Sequence, residues 1–227
     1  MTIEHGFLIG DTVLPGTDRV IRDPDAFWHE PSDDIYPRRG HRITQLVGHW
    51  SAGHARTGPN AGAKLYRAML ARRKDSDGDG KLTNSDDLMD VSAHIGISWD
   101  GLVFQMADLA SACIHVKRRV NLGSIGVENM WPGTMRQAAK LGMPAAHAVI
   151  GTARGQWIEC YPPSDEMIEA WRWVVHTLTH AQHPLLAIPY QRGGMERPGI
   201  LEHCDITGPK QTKVDAAGLL VGALGWR

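Results

Sequence analysis

The chain has no dominant charge. Its 24 Lys and Arg stand against 25 Asp and Glu over 227 residues, a formal net charge of −1. A protein that lives on nucleic-acid phosphates needs a strong basic excess, so that class of activity is excluded. Cysteine is scarce as well. The three present, Cys113, Cys160 and Cys204, are an odd number without paired spacing, which argues against a disulfide framework and for a reducing compartment. No apolar run approaches the ~20 residues of a membrane span. Near the start, Glu4 stands where an export signal needs a cation, and the apolar stretch after it is short. The expectation is a chain made in the cytoplasm without a signal peptide, reaching targets beyond the membrane only by another route. Internal repeats and low-complexity tracts are also missing.

What is present is an alternation of strand and helix patterns. Up to about His41, short extended pieces are broken by turn signals such as Pro15-Gly16 and by the loop-forming run Pro37-Arg38-Arg39-Gly40, and residues 1–41 read as an N-terminal arm. Ile43 to Trp50 reads as a buried strand and Ala61 to Lys74 as a helix rich in strong helix formers. Ser92 to Trp99 and Leu102 to Met106 flank Asp100-Gly101, the signature of a tight hairpin. Ser124 to Asn129 alternates like a strand. Ser164 is positioned to cap a long helix reaching about Ala181, with Asp165 and Glu166 in its first turn. Pro189 to Gly199 is loop, and a last helix is expected from about Asp215 to Leu224. The fold class is α/β, a central mixed sheet flanked by helices in a single domain, 42–227, behind the short arm.

Two histidines stand out against this background. His49 ends an apolar strand, and His203 lies far downstream, followed by Lys213-Val214-Asp215. Two imidazoles and a carboxylate are the donors of a catalytic zinc site that keeps one position open for water. Cys204 and Asp205, beside His203, are alternative third ligands.

The order of several segments carries a resemblance. His49-Trp50-Ser51-Ala52-Gly53, then Val91 to Gly101 with His94, then Ser124-Ile125-Gly126-Val127-Glu128, then His203 to Asp215, is similar to the zinc N-acetylmuramoyl-L-alanine amidases, over roughly His41 to Gly218. That family includes phage amidases, muropeptide-recycling amidases and the peptidoglycan recognition proteins. The resemblance implies His49, His203 and Asp215 as zinc ligands, Glu128 as general base and Lys213 as stabiliser of the charged transition state. It also implies His115 as a substrate-facing residue. Two departures stand out. Asp215 is followed by Ala216-Ala217 where the family continues into Pro-Gly, and Ala93 stands where some branches carry tyrosine.

The implied chemistry is amide hydrolysis in peptidoglycan or its fragments. A bound zinc brings its water's pKa to roughly 7, and a carboxylate can move that water's proton to the leaving amine. Alternatives are a non-catalytic peptidoglycan-binding module, a recycling amidase acting on soluble anhydro-muropeptides, and a calcium-dependent interaction module. Trp131, near Glu128, is a candidate sugar platform, and Lys117-Arg118-Arg119 is either a solvated face or a site for stem-peptide carboxylates.

A second metal signal is independent of the first. Asp75, Asp77, Asp79, Gly80, the Lys81 carbonyl and Asp86 occupy positions one, three, five, six, seven and twelve of an EF-hand-like calcium loop inserted at 74–88. The last position is aspartate, as in dockerin-like loops. With one loop and no partner, a structural staple is the expected role.

Overall fold

The computed structural model describes residues 2–28, 35–38, 40–51, 53, 55–70, 92–116, 118–153, 156–206 and 218–226. The calcium loop expected over 75–86 lies outside them, as do Lys213 and Asp215. Nine strands matter for the site: β1 (Glu4–His5), β2 (Val20–Arg22), β3 (Gln45–Trp50), β4 (Ile95–Ile97), β5 (Val103–Gln105), β6 (Ser124–Asn129), β7 (Val149–Ala153), β8 (Gln156–Cys160) and β9 (Gly199–Glu202). Four helices accompany them: α1 (Ala61–Leu70), α2 (Asp165–His180), α3 (His203–Ile206) and α4 (Leu219–Gly222).

Seven strands form one mixed sheet in the order β1-β2-β5-β4-β6-β3-β9. Its centre is parallel: β4, β3 and β9 run with β6 or β3, and β6 pairs with β3 over its whole length. Parallel strands are covered on both faces, and every residue of β6 is buried accordingly. β4 and β5 are antiparallel neighbours around Asp100-Gly101, as the hairpin signal predicts; Gly101 holds a φ of 77°, which an L side chain rarely adopts.

The N-terminal residues expected as an arm are built into the domain. β2 pairs with β5, β1 pairs with β2, and Phe7, Ile9 and Leu14 are fully or almost fully buried in the main core. Their apolar residues are too few per segment to show a period, yet an open edge at β5 would leave a row of backbone donors and acceptors unpaired.

Helix α2 covers one sheet face. Met167, Ala170, Trp171, Val174, Val175 and Leu178 recur at helical spacing and are buried, while Ser164 accepts a hydrogen bond from the Met167 N–H at 3.3 Å as the expected N-cap. Trp171 lies against β3 where Gly48 leaves room: a Cβ at Gly48 would meet Leu220 at 2.8 Å and Trp171 at 3.1 Å. The Trp171 indole N–H donates to the Leu220 carbonyl at 2.9 Å and ties α4 to the same face. Among the described residues, no helix is long and apolar enough to cross a membrane.

Candidate metal centre and hydrolytic site

Alternation along the parallel strands sends Gln45, Val47 and His49 to one face and Leu46, Gly48 and Trp50 to the other. The same rule puts Ser124, Gly126 and Glu128 of β6 on the His49 face, because Glu128 is the direct register partner of His49. His203 begins α3 immediately after β9, which pairs with β3. All three residues therefore sit at or just beyond the carboxyl ends of adjacent parallel strands, where open α/β sheets place their ligands.

The rings converge. His49 and His203 lie edge to face with centroids 4.7 Å apart, and only 2% and 8% of their surfaces are exposed. Glu128 is 6% exposed and lines a small cleft of about 50 Å³ with Ser51, Arg56 and Met69. Arg56 gave no sequence signal beyond its charge. It lines the same cleft as Glu128, and a guanidinium suits a carboxylate or carbonyl oxygen.

His115 joins this group from the loop before β6. Its Nδ1 is 3.1 Å from His49 Nε2, and its Nε2 is 3.1 Å from Ser124 Oγ. It reaches them because Gly126 stands between Ser124 and Glu128: a Cβ there would sit 2.5–2.8 Å from three atoms of the His115 ring. Burial, reinforced by His49, His94, His203 and Arg38, holds His115 well below the ordinary imidazole value, so the ring is neutral. A neutral ring permits one proton order that leaves His49 Nδ1 with a lone pair for a metal. In that order His49 Nε2–H donates to His115 Nδ1, and His115 Nε2–H donates to Ser124 Oγ.

A further layer supports that ring. His94 accepts from the Gly126 N–H at 3.0 Å through Nδ1, and its Nε2 lies 2.9 Å from both the Ser111 carbonyl and Arg38 Nη2. Burial first and the Arg38 charge second push His94 down to about 3. Arg38 is 3% exposed and caged by the carbonyls of Leu109, Asn121, Leu122 and Ser124 at 2.8–3.2 Å. The Pro37-Arg38-Arg39-Gly40 run reads as loop, and nothing local in it announces a buried guanidinium.

The residues beside His203 have other partners. Cys204 Sγ donates to Glu202 Oε2 at 3.6 Å, and Asp205 accepts from the Glu202 N–H at 3.0 Å while pairing with Arg192 at 3.4 Å. Glu202 itself is buried, accepts from the Val221 N–H at 2.7 Å and from the Gly218 N–H, and fastens α4 to β9. Burial raises its carboxyl to about 7. Among the described residues, no three His, Cys, Asp or Glu side chains form a set able to hold a metal, and Asp215, the expected third ligand, lies outside them.

Trp131 departs from the sugar-platform expectation. It is fully buried, its N–H donates to the Tyr161 carbonyl at 2.8 Å, and its ring packs edge-on to Trp50. The flanking Met130 and Pro132 are buried too, so the indole belongs to the core. Arg119 faces solvent and pairs with Glu196 at 3.2 Å. A larger cavity of about 320 Å³ opens between Arg22, Trp28 and Asp108. It lies beside β2, four strands from β3, or ~19 Å at ~4.8 Å per strand, and takes no part in the histidine cluster.

The family model described as N-acetylmuramoyl-L-alanine amidase matches residues 39–216. None of the curated proteins compared with the chain matches it. Among solved structures, peptidoglycan recognition protein-LE in complex with tracheal cytotoxin is similar with a TM-score of 0.56 and 12% identity, covering 92% of this chain and 94% of that one. Drosophila PGRP-LB has a TM-score of 0.51 and 14% identity, covering 91% and 92%. A selenomethionine derivative of AmpD has a TM-score of 0.46 and 18% identity, covering 85% and 89%. At these identities the likeness to solved structures is one of fold.

Proposed function

Because the chain belongs to the N-acetylmuramoyl-L-alanine amidase family, we propose that it hydrolyses the amide between N-acetylmuramic acid and L-alanine, using zinc held by His49, His203 and Asp215. The observation that carries this reading is the register of Glu128 beside His49, with the His203 ring 4.7 Å from that of His49. The donor chemistry fits the metal. Two buried imidazoles converge, and the neutral His115 can orient one of them with its coordinating nitrogen unprotonated. Zinc bound there would supply an acidified water and polarise the scissile carbonyl.

The chain's own residues do the rest. Glu128, buried at the cleft, takes the proton of the attacking water and returns it to the leaving amine nitrogen. Lys213 is assigned to the developing oxyanion, whose stabilisation is strong where water is excluded. His115 holds His49 in one tautomer through its Nδ1. Arg56 lines the cleft beside Glu128 and suits a carboxylate of the stem peptide.

Glu128→Gln keeps the shape of the site and removes the base. Hydrolysis of a muropeptide is expected to fall by about 10²–10⁴-fold, with one zinc per chain retained. A fully active Gln variant overturns the role of Glu128. Wild-type protein that binds muropeptide and zinc but never cleaves establishes the alternative, a non-catalytic binding module. Chelation followed by zinc addition should abolish and restore activity. Comparing intact sacculi with soluble anhydro-muropeptides separates cell-wall lysis, as by an endolysin, from recycling.

A further inference from the structure

The hairpin β7–β8 stands apart from the main sheet. Its register pairs Thr152 with Trp157 and Ile150 with Glu159. Gly151, Ala153 and Cys160 turn inward and are buried, whereas Ile150, Thr152, Trp157 and Glu159 are exposed on the opposite face. Trp157 is 78% exposed, the most exposed of the large hydrophobic side chains described. Ile150, 51% exposed, shares that face, so the two form an outward apolar patch rather than a lone exposed side chain.

We propose that this face is a platform for the glycan of the substrate, carrying sugars that flank the muramyl unit being cleaved; the proposal rests on the amidase reading. The chemistry of the face selects the occupant. A sugar ring presents a C–H face to an aromatic plane and hydroxyls to its rim, and the outward face of the hairpin sets Thr152 across from Trp157 and Glu159 two residues along from it. A protein interface of ordinary size buries ~800 Å² on each side, far more than Trp157 and Ile150 present. A lipid surface calls for lysine or arginine around the aromatic, and among the described residues this face carries an acid, Glu159, instead.

Position supports the same occupant. The Thr152 backbone and hydroxyl back onto Gly218, which precedes α4; a Cβ at Gly218 would meet Thr152 O at 3.2 Å and Thr152 Oγ1 at 3.4 Å. Gly218 is in turn bonded to Glu202, the residue before His203. Glu202 is the register partner of Gly48, so its side chain lies on the sheet face opposite His49, and the platform meets the site over the carboxyl edge of β9, where His203 follows. A glycan strand can cross Trp157 while its stem peptide enters the cleft.

The test compares two substrates, glycan strands several disaccharides long and a single-disaccharide muropeptide, with wild type, Trp157→Ala and Trp157→Phe. In the Ala variant, KM for the strands should rise about five- to tenfold with kcat unchanged, while both constants for the single disaccharide stay as in wild type. The Phe variant should recover most of the loss. An unchanged KM on strands overturns the proposal, as does an equal loss on both substrates. A wild-type dimer dispersed by Trp157→Ala also overturns it, by giving the face to a second copy. Should wild type cleave neither substrate, the amidase reading fails separately. The platform is then tested by co-sedimentation with insoluble peptidoglycan: weaker retention of the Ala variant supports it, and equal retention overturns it.

Discussion

Gly126→Ala is the sharpest test of how the site is assembled. The added Cβ would stand 2.5 Å from His115 Cγ, 2.7 Å from Nδ1 and 2.8 Å from Cδ2. Ordinary carbon contacts begin near ~3.5 Å, so the ring has to retreat by roughly 1 Å. The His115 Nδ1 to His49 Nε2 contact is 3.1 Å now, and a 1 Å retreat along it leaves no hydrogen bond. Overpacking of this kind costs about 1–3 kcal/mol of stability. Loss of a partner that orients a metal-binding histidine lowers metal affinity by about 10–100-fold. Competition against a chromophoric zinc chelator measures the affinity, and urea unfolding of the metal-free protein measures the stability. An Ala variant with wild-type zinc affinity and wild-type stability refutes the placement of His115 on Gly126. Normal stability with weakened zinc binding retains the positioning role and discards the packing cost.

Further predictions concern other parts of the chain. His94 is held at about 3 in the folded protein against 6.5 when unfolded, so between those values the unfolded chain binds the extra proton. The neutral ring therefore contributes its stability in full above pH 6.5 and loses it as the pH falls. At pH 5 the loss is about 1.5 pH units × ~1.36 kcal/mol, or ~2 kcal/mol, and it does not depend on the folded value as long as that lies well below 5. His94→Asn should shrink the drop in unfolding free energy between pH 7.5 and pH 5 by about that amount; an unchanged drop rules the account out. Calcium should raise the melting temperature through the loop at Asp75 to Asp86, and Asp77→Ala should remove the shift; a wild-type protein indifferent to calcium marks that loop as a metal-free surface turn.

Much of the architecture was legible because its signals are local. The Asp100-Gly101 turn, the Ser164 cap with its helical apolar stripe, and the alternating strand around Ile125 and Val127 each state their structure within a few residues. The β7–β8 hairpin is not legible in the sequence, since its strands mix apolar and polar residues and only the tertiary structure sets one face on the core. The N-terminal strands are illegible in the sequence for a related reason. β1 and β2 are two and three residues long, and strands that short are stabilised by the edge they complete rather than by their own pattern.

The sequence alone supplied the candidates: His49, His203 and Asp215 as expected metal donors, Glu128 and Lys213 in the roles that the family resemblance implies, and carboxylates at the spacing of a calcium loop. Ligand type and short-range spacing are properties of the covalent chain. Only the tertiary structure decided which of these meet. Parallel pairing of β6 with β3 brings Glu128 beside His49 across 79 positions of sequence, a register set by burial on both faces of the sheet. Close packing likewise put Trp131 in the core and left Trp157 in water, two indoles that composition cannot tell apart. It also drew Arg38 inward to a cage of carbonyls and laid His115 on a glycine, because interiors leave no space unfilled and each ring goes where a missing Cβ admits it.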